Sequence, residues 1–439
     1  VAIMSVDTGL LFEQNVVETL SQSQQEPEWM LQLRLKALKT AASLHLPKVE
    51  KTRIDRWNFT SFQPYTPAES LSGLDQLPEE IRALLSSEAQ DDNVIVQKNS
   101  SPVYRHLQSE LAEKGVIFQD LASAVREHPE LVKRYFMTDA VRVDEHRLTA
   151  LHAALWSGGV FLYVPRNVEV DLPFQSLFWA EGTEVGMLPH VLVVAEDNSR
   201  VDLVVNFVSA KNGTTGVNNS IIETFVGPGA HVRVATVNNM GDQIVDTTYR
   251  RAIVDRDGRM EWIIGDLGTG RIISDNTTHL KGDGGYVDVK TIAVGTDETR
   301  ANITSTVHHW GKSTESDINA RGVMKDQASS IINGITKIEK GAKQANGQQA
   351  EKVLMLNREA RGDANPILLI DENDVKAGHA ASVGRVDELQ LYYLMSRGIS
   401  RQEAEKLIIF GFLSPVLSAI PIEALRDRLH GVIERKFGR

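Results

Sequence analysis

The segment VLVVAEDNSRVDLVVNFV, Val191–Val208, sets two β-branched runs on either side of the turn cluster EDNS. Val, Ile, Phe and Thr suit a pleated, half-buried backbone, whereas Asp, Asn, Ser and Gly suit the turns between such runs. The alternation recurs downstream. HVRVATVNN, RMEWIIGDLG, YVDVKTIAVG, RANITSTVHHW, SSIINGITKIEK and PILLIDENDV are divided by GPGA, DRDG, GDGG, KDQA and GDAN. Clusters at Asp197, Gly227, Asp255 and Gly282 follow one another at about thirty residues or slightly fewer, the scale of one repeat in a stacked solenoid. The later clusters lie further apart. A unit of this size, with two or three short strands and almost no helical periodicity, predicts a β-solenoid over Val160–Ile370. A large sandwich or barrel, with strands about every 8–12 residues, is the competing arrangement.

Helical patterns lie on both sides. PEWMLQLRLKALKTAASL opens with Pro27 and Glu28, and LPEEIRALLSS has Pro78 and two acids in its first turn, where the helix dipole favours them. RHLQSELAEKGVIF and TDAVRVDEHRLTALHAALWSGG also fit helices, while WNFTSFQPYTPAES and QDDNVIVQKNSSP read as irregular. Beyond Asp387, DELQLYYLMSRG ends on Gly398. Ser400 and Glu403 then form a capping box, and IEALRDRLHGVIERKF supplies a last amphipathic helix. The expected order is a helical region over 1–158, a mainly β core over 159–386 and a helical region over 387–439.

Lys and Arg number 47 against 58 Asp and Glu, a net charge of -11, which argues against a general nucleic-acid binder. There is no cysteine, so disulfides and metal sites built from this chain's own thiolates are impossible. The opening VAIMSVDTGLLFEQNVVETL lacks a basic start and a continuous apolar stretch, and so does not read as a secretory signal. Leu407–Ile420, the longest apolar run, is shorter than the about 20 residues that span a bilayer. A cytoplasmic location is expected, without membrane contact.

Most chemical motifs fail on inspection. TVHHWGKST carries Gly311, Lys312 and Ser313 as in a phosphate loop, but Thr306 stands where the first glycine belongs, and the flanks are β-rich on both sides. In GPGAHV, Val232 stands where a dinucleotide loop has its third glycine. His308 and His309 are adjacent, so on a strand they point to opposite faces and do not form one metal site. His146 and His152 read as ordinary polar or packed side chains. His379, among Ala377, Gly378, Ala380, Ala381 and Ser382, reads as a turn residue where sheet passes to helix, its small neighbours allowing close approach by another backbone. The apolar residues Ile409, Phe412 and Val416 form a helical stripe within a run more apolar than one buried face requires, as a partner-facing helix or a fully buried one would show.

KTRIDRWNFTSF, GVFLYVPRNVEVDLPFQSLF and ANPILLIDENDVKAGHAASVGRVDELQLYYLMSRGISRQEAEKLIIFGF resemble the SufB/SufD family of iron–sulfur cluster assembly proteins. The resemblance covers essentially the whole chain and is most specific at its C-terminal end. It implies a right-handed parallel β-helix flanked by helical regions, and a non-catalytic scaffold rather than an enzyme. It further implies pairing with a SufB-like paralogue through the β-helices, and docking of a SufC-like ATPase on the C-terminal helices, which assigns Ile409, Phe412 and Val416 to that contact. A homodimer is expected when the chain is isolated. By motif match His379 is the interfacial histidine implicated in handling iron or a nascent cluster, held there transiently and not as a tightly bound cofactor of this chain. Many members carry cysteine two positions earlier, where this chain has Ala377. Lack of cysteine places the chain on the SufD side, since SufB members are expected to supply the sulfur-accepting thiol. The competing classes are a polysaccharide-hydrolysing β-solenoid, which is typically exported, and a purely structural β-helix.

Overall fold

The computed structural model describes residues 12–85, 93–210 and 213–438. Most of the opening segment read above for a leader, and residues 86–92 between the LPEEIRALLSS helix and the NVIVQK run, lie outside the described residues. Helices α1 (Gln14–Ser23) and α2 (Glu28–Ser43) come first, followed by one-turn α3 (Glu79–Arg82). Strands β1 (Val94–Lys98) and β2 (Ser101–His106), short α4 (Ser109–Glu113) and β3 (Ile117–Asp120) lead to α5 (Leu121–Glu127), α6 (Pro129–Tyr135) and α7 (Arg147–Leu155). The region expected to be helical thus contributes three strands. Turn formers around VIV concealed a hairpin, in which Asn99 takes a positive φ of 51°, and RHLQSELAEKGVIF is a strand end, one helical turn and a strand.

The solenoid is built from β4 (Gly159–Val164), β5 (Phe174–Ala180), short β6 (Val185–Met187), β7 (His190–Ala195), β8 (Arg200–Ser209), β9 (Gly216–Val226) and β10 (His231–Asn239). It continues with β11 (Ile244–Val254), β12 (Arg259–Asp266), β13 (Arg271–Leu280), β14 (Tyr286–Gly295), β15 (Arg300–His309) and β16 (Glu315–Met324). It closes with β17 (Ser329–Ile338), β18 (Asn346–Met355), β19 (Arg361–Ile370) and β20 (Lys376–Arg385). From β7 onward the chain alternates between two parallel sheets. One runs β2-β1-β5-β8-β10-β12-β14-β16-β18-β20, the other β19-β17-β15-β13-β11-β9-β7-β4-β3 with β6 beside β9. The protein is mainly β, a solenoid of about eight turns, and the sandwich alternative falls.

The period is set by stacking. Arg200, His231, Arg259, Tyr286, Glu315, Asn346 and Lys376 pair in one unbroken register, in steps of 27 to 31 residues. The repeat therefore does not lengthen towards the C-terminus. KDQA occupies the opposite corner, and GDAN lies inside β19. The true successor of GDGG is Gly311–Thr314, the segment that spells part of a phosphate loop. Corners stack backbone on backbone: a Cβ at Gly282 would lie 1.9 Å from Arg256 N, and one at Gly311 2.3 Å from Gly282 O. Glycine is needed there for close approach, and Gly311 is followed by a strand.

Val, Leu, Ile and Phe side chains fill the space between the sheets. Each sheet also buries part of its outer face. Helices α1, α2, α5, α6 and α7 cover the second of these sheets, odd-numbered from β7 onward and called the odd-numbered sheet, around Phe161, Leu192, Ile221 and Tyr249. On the even-numbered sheet lie α9 (Arg401–Leu417) and α10 (Glu423–Phe437), packed on Val204, Ala235, Ile263, Ile292 and Val323. None of the described helices is long and apolar enough to cross a membrane.

A buried polar chain ties the N-terminal helices to the solenoid. The Asn219 carbonyl can only accept, so His152 Nδ1 donates to it at 2.8 Å, and His152 Nε2 accepts from His190 Nδ1 at 3.0 Å. Burial keeps both rings neutral, holding His190 down to about 3. His190 Nε2 is then an acceptor, and Glu223, which burial pushes up to about 8, supplies the proton across 2.9 Å. The same carboxyl group accepts Met137 N–H at 2.8 Å and Val141 N–H at 3.0 Å.

Candidate functional site at the open end of the solenoid

The two ends of the stack differ. At the N-terminal end β2 and β3 pair antiparallel with β1 and β4, and Leu71 N donates to Val103 O on the outer side of β2 at 2.7 Å. At the other end the stack stops at β19 and β20, and among the described residues no strand pairs with their outer edges. Their backbone N–H and C=O groups form a template for a further strand.

His379 sits in the middle of β20, not in a turn. Small residues around it suggested a handover to helix, but the strand runs to Arg385 and helix α8 (Glu388–Ser396) begins only after it. In register, Leu203, Val234, Trp262, Val289, Ile318, Gln349 and His379 form one row. Leu203 through Ile318 are core residues, so His379 continues the inward-facing row, and it is exposed because no coil covers it. Next to it, a Cβ at Gly378 would lie 2.5 Å from Gln348 Oε1 on the outward face. The preceding corner is pinned by Glu372, whose carboxylate accepts Gly341 N–H at 3.0 Å and Asn373 N–H at 2.9 Å. Those bonds hold it down to about 2.

The C-terminal helices divide their faces differently from the expectation. Ile409 and Val416 are buried against the outer face of the even-numbered sheet. Phe412 is half-buried, with the Arg321 guanidinium 5.3 Å from its ring centre and bonded to its carbonyl at 2.6 Å. Thus the stripe expected to meet a partner serves the chain's own core for two of its three members. The run is unusually apolar because α9 packs on the sheet on one side and on α8 on the other. Unpartnered apolar surface lies on α8 instead. Leu391 and Leu394 face α9, which leaves Leu389, Tyr392 and Tyr393 at i, i+3 and i+4, 76%, 72% and 57% exposed. The Ser400–Glu403 capping box is present as expected.

Comparison with known sequences settles the family. The core domain model of SufBD proteins of the SUF iron–sulfur cluster assembly system matches residues 178–412, and the SufBD N-terminal region model matches 88–176. The chain belongs to the SufBD family. The iron–sulfur cluster assembly protein SufD of Bacillus subtilis is 50% identical over 435 residues, covering 99% of this chain and 100% of that protein. SufBD family proteins of Staphylococcus saprophyticus and Staphylococcus haemolyticus are 31% and 32% identical, over 96% of this chain and 92% of theirs.

The other histidines singled out in the sequence have structural surroundings. His308 and His309 point to opposite faces, as adjacency on a strand requires. His309 lies inside, 2.8 Å from both Thr314 Oγ1 and Ser316 Oγ. His308 lies outside, its ring centre 4.8 Å from that of His279 and 6.2 Å from that of Trp310. His146 caps α7 through Nδ1, which accepts Thr149 N–H at 3.3 Å. No group of three His, Cys, Asp or Glu able to hold a metal occurs among the described residues. Sequence reasoning missed Glu223 and Glu351, two acids buried on inward or helix-covered faces. Only the strand register reveals on which side of a coil an isolated acid lies.

Proposed function

We propose that this SufBD protein is a non-catalytic scaffold subunit in iron–sulfur cluster assembly. It pairs through the edges of β19 and β20 with a cysteine-bearing, SufB-like paralogue, and it receives a SufC-like ATPase on α8. The open end with an inward-row histidine carries this reading: unpaired strand edges invite a second solenoid, and His379 would face into the junction. Iron or a nascent cluster is the cargo there. An imidazole is a good iron ligand or proton carrier near neutral pH, and because this chain has no cysteine, every thiolate must come from the partner. Alone, the chain is expected to use the same edges to pair with itself.

The ATPase contact is assigned to Leu389, Tyr392 and Tyr393 instead of the Ile409–Phe412–Val416 stripe. Tyr392→Asp is expected to abolish co-purification of the ATPase while thermal stability stays within a degree or two. Ile409→Asp buries a carboxylate against the sheet and is expected to cost several kcal/mol of stability. Capture of the ATPase undiminished by Tyr392→Asp would refute the α8 assignment. Native complexes lacking a cysteine-bearing paralogue would refute the scaffold reading.

A further inference from the structure

Close to the open end the apolar interior gives way to a column of small and polar residues. Two inward-facing rows oppose each other. Thr291, Ala320 and Glu351 stack on β14, β16 and β18, while Asn276, Ser305 and Gly334 stack on β13, β15 and β17. All six residues are buried. Both amide atoms of Asn276, the Thr291 hydroxyl and both carboxyl oxygens of Glu351 have no hydrogen-bonding partner. An unpartnered buried polar group costs about 1–3 kcal/mol, and an isolated carboxylate more. Five such atoms along one column of small side chains are what bound water satisfies.

Glu351 is specifically accommodated. A Cβ at residue 334 would lie 1.9 Å from Glu351 Oε1 and 3.3 Å from Gln349 Oε1, and Gly334 is not among the glycines with positive φ. The glycine therefore serves space, and that space holds the carboxyl group. Gln349 is already committed, accepting from Thr336 Oγ1 at 3.0 Å and donating to the Ile367 carbonyl at 3.3 Å. In register Glu351 lies beside Ala381, two residues along β20 from His379 on the same inward face.

We propose that Glu351 is a proton-exchanging group for chemistry at the open end, connected to it by water in this column. The inference rests on the functional reading of His379. A thiol or imidazolium that binds a cation releases its proton; the S–H or N–H bond breaks, and the proton passes through water to a Glu351 oxygen, forming a neutral carboxylic acid. Burial is what pushes the Glu351 carboxyl up, to about 7, where it can both take and return a proton. Ala320, Gly334, Pro366 and Ala381 surround it and do not ionise. Lys352 and Arg321 occupy outward positions on β18 and β16, and the inward titratable groups of neighbouring strands are His379 and Arg385 on β20 and His309 on β15.

The test uses the full chain first. Infrared titration in H2O and D2O is expected to show, among the carboxylic acid bands, one that disappears on raising the pH through about 7 and that Glu351→Gln removes while those of Glu223 and Asp246 remain. In the assembled complex, cluster formation by the parent is expected to slow as the pH falls below that value. Glu351→Gln is expected to be about tenfold or more slower, with this limb of the pH profile gone. Glu351→Asp keeps an ionising group and should keep a limb with a displaced midpoint, so the test survives a poorly folding Gln variant. A purely structural carboxyl group would leave the profile unmoved, and Glu351→Gln with the parent's profile would overturn the proposal. So would a parent without the titrating band. His379→Ala, assayed beside it, separates the outcomes: normal assembly there removes the reading of the open end, whatever the infrared band shows.

Discussion

Glu223→Ala is expected to cost about 3 kcal/mol or more and to loosen the segment from Met137 to Val141 before the solenoid unfolds. The substitution orphans three groups at once. Met137 N–H and Val141 N–H lose their acceptor, and His190 Nε2 loses its donor. Amide exchange should report the detachment at 137 and 141, and urea titration the global loss. A change below about 1 kcal/mol would show that water replaces the carboxyl group and would refute the assigned proton chain. The contribution of Glu223 to the pH dependence has a definite sign. Glu223 binds its proton more tightly when folded, about 8 against 4.5, so its contribution is complete below about 4.5 and fades as the pH rises to about 8. Asp246, raised to about 6, and Glu351, raised to about 7, act in the same direction. The histidines that burial holds neutral, His146, His152, His190, His279 and His309, act in the opposite direction below about 6.5. The Glu223 contribution is therefore read as a difference: the margin in urea resistance of the parent over Glu223→Gln should shrink from pH 5.5 to pH 8.5.

His379→Ala is expected to abolish cluster assembly by the full complex while leaving the stability of the isolated chain within about 0.5 kcal/mol. Its exposure on the last strand means that no packing is lost, yet a methyl group can neither bind a cation nor carry a proton. His379→Gln preserves hydrogen bonding without imidazole basicity and should fail nearly as badly if the role is chemical. Complementation of cells lacking the native protein gives the decisive readout. Normal cluster formation by His379→Ala would leave His379 as nothing more than an edge-strand residue.

The solenoid was legible because its turns recur. Stacked corners require glycine, aspartate or asparagine at the same place in each coil, so a backbone constraint is written into composition once per repeat. The same regularity misled in two places: KDQA belongs to the other corner, and GDAN lies inside β19. GKST, rejected as a phosphate loop, is a rung of the turn ladder. The N-terminal strands escaped because β1 is one short apolar run among turn formers. For the site, the residue type and small neighbours of His379 were visible, but its inward row depends on pairing with Gln349, a contact thirty residues away. The α9 run left two alternatives open in sequence, a partner-facing stripe or a buried helix, since two buried faces on one helix resemble one exposed face; Ile409 and Val416 pack on the chain's own sheet. Glu223 and Glu351 carried no sequence signal: they are two of 58 acids.

The unequal ends of the stack also decide what size of assembly this architecture tolerates. One end reverses strand direction and has Leu71 bonded along β2; the other keeps its direction, and among the described residues no strand pairs with its outer edges. For strand addition that continues the parallel stack, such an object has a valence of one. Two of them meeting at their free ends exhaust each other's capacity for strand addition, so the product is a closed pair and not a growing fibre, even though every rung repeats the geometry from which fibres are made. Unmasking the reversed end, by cutting away the segment around Leu71 that lies along β2, would give the object a second valence and with it the means to polymerise.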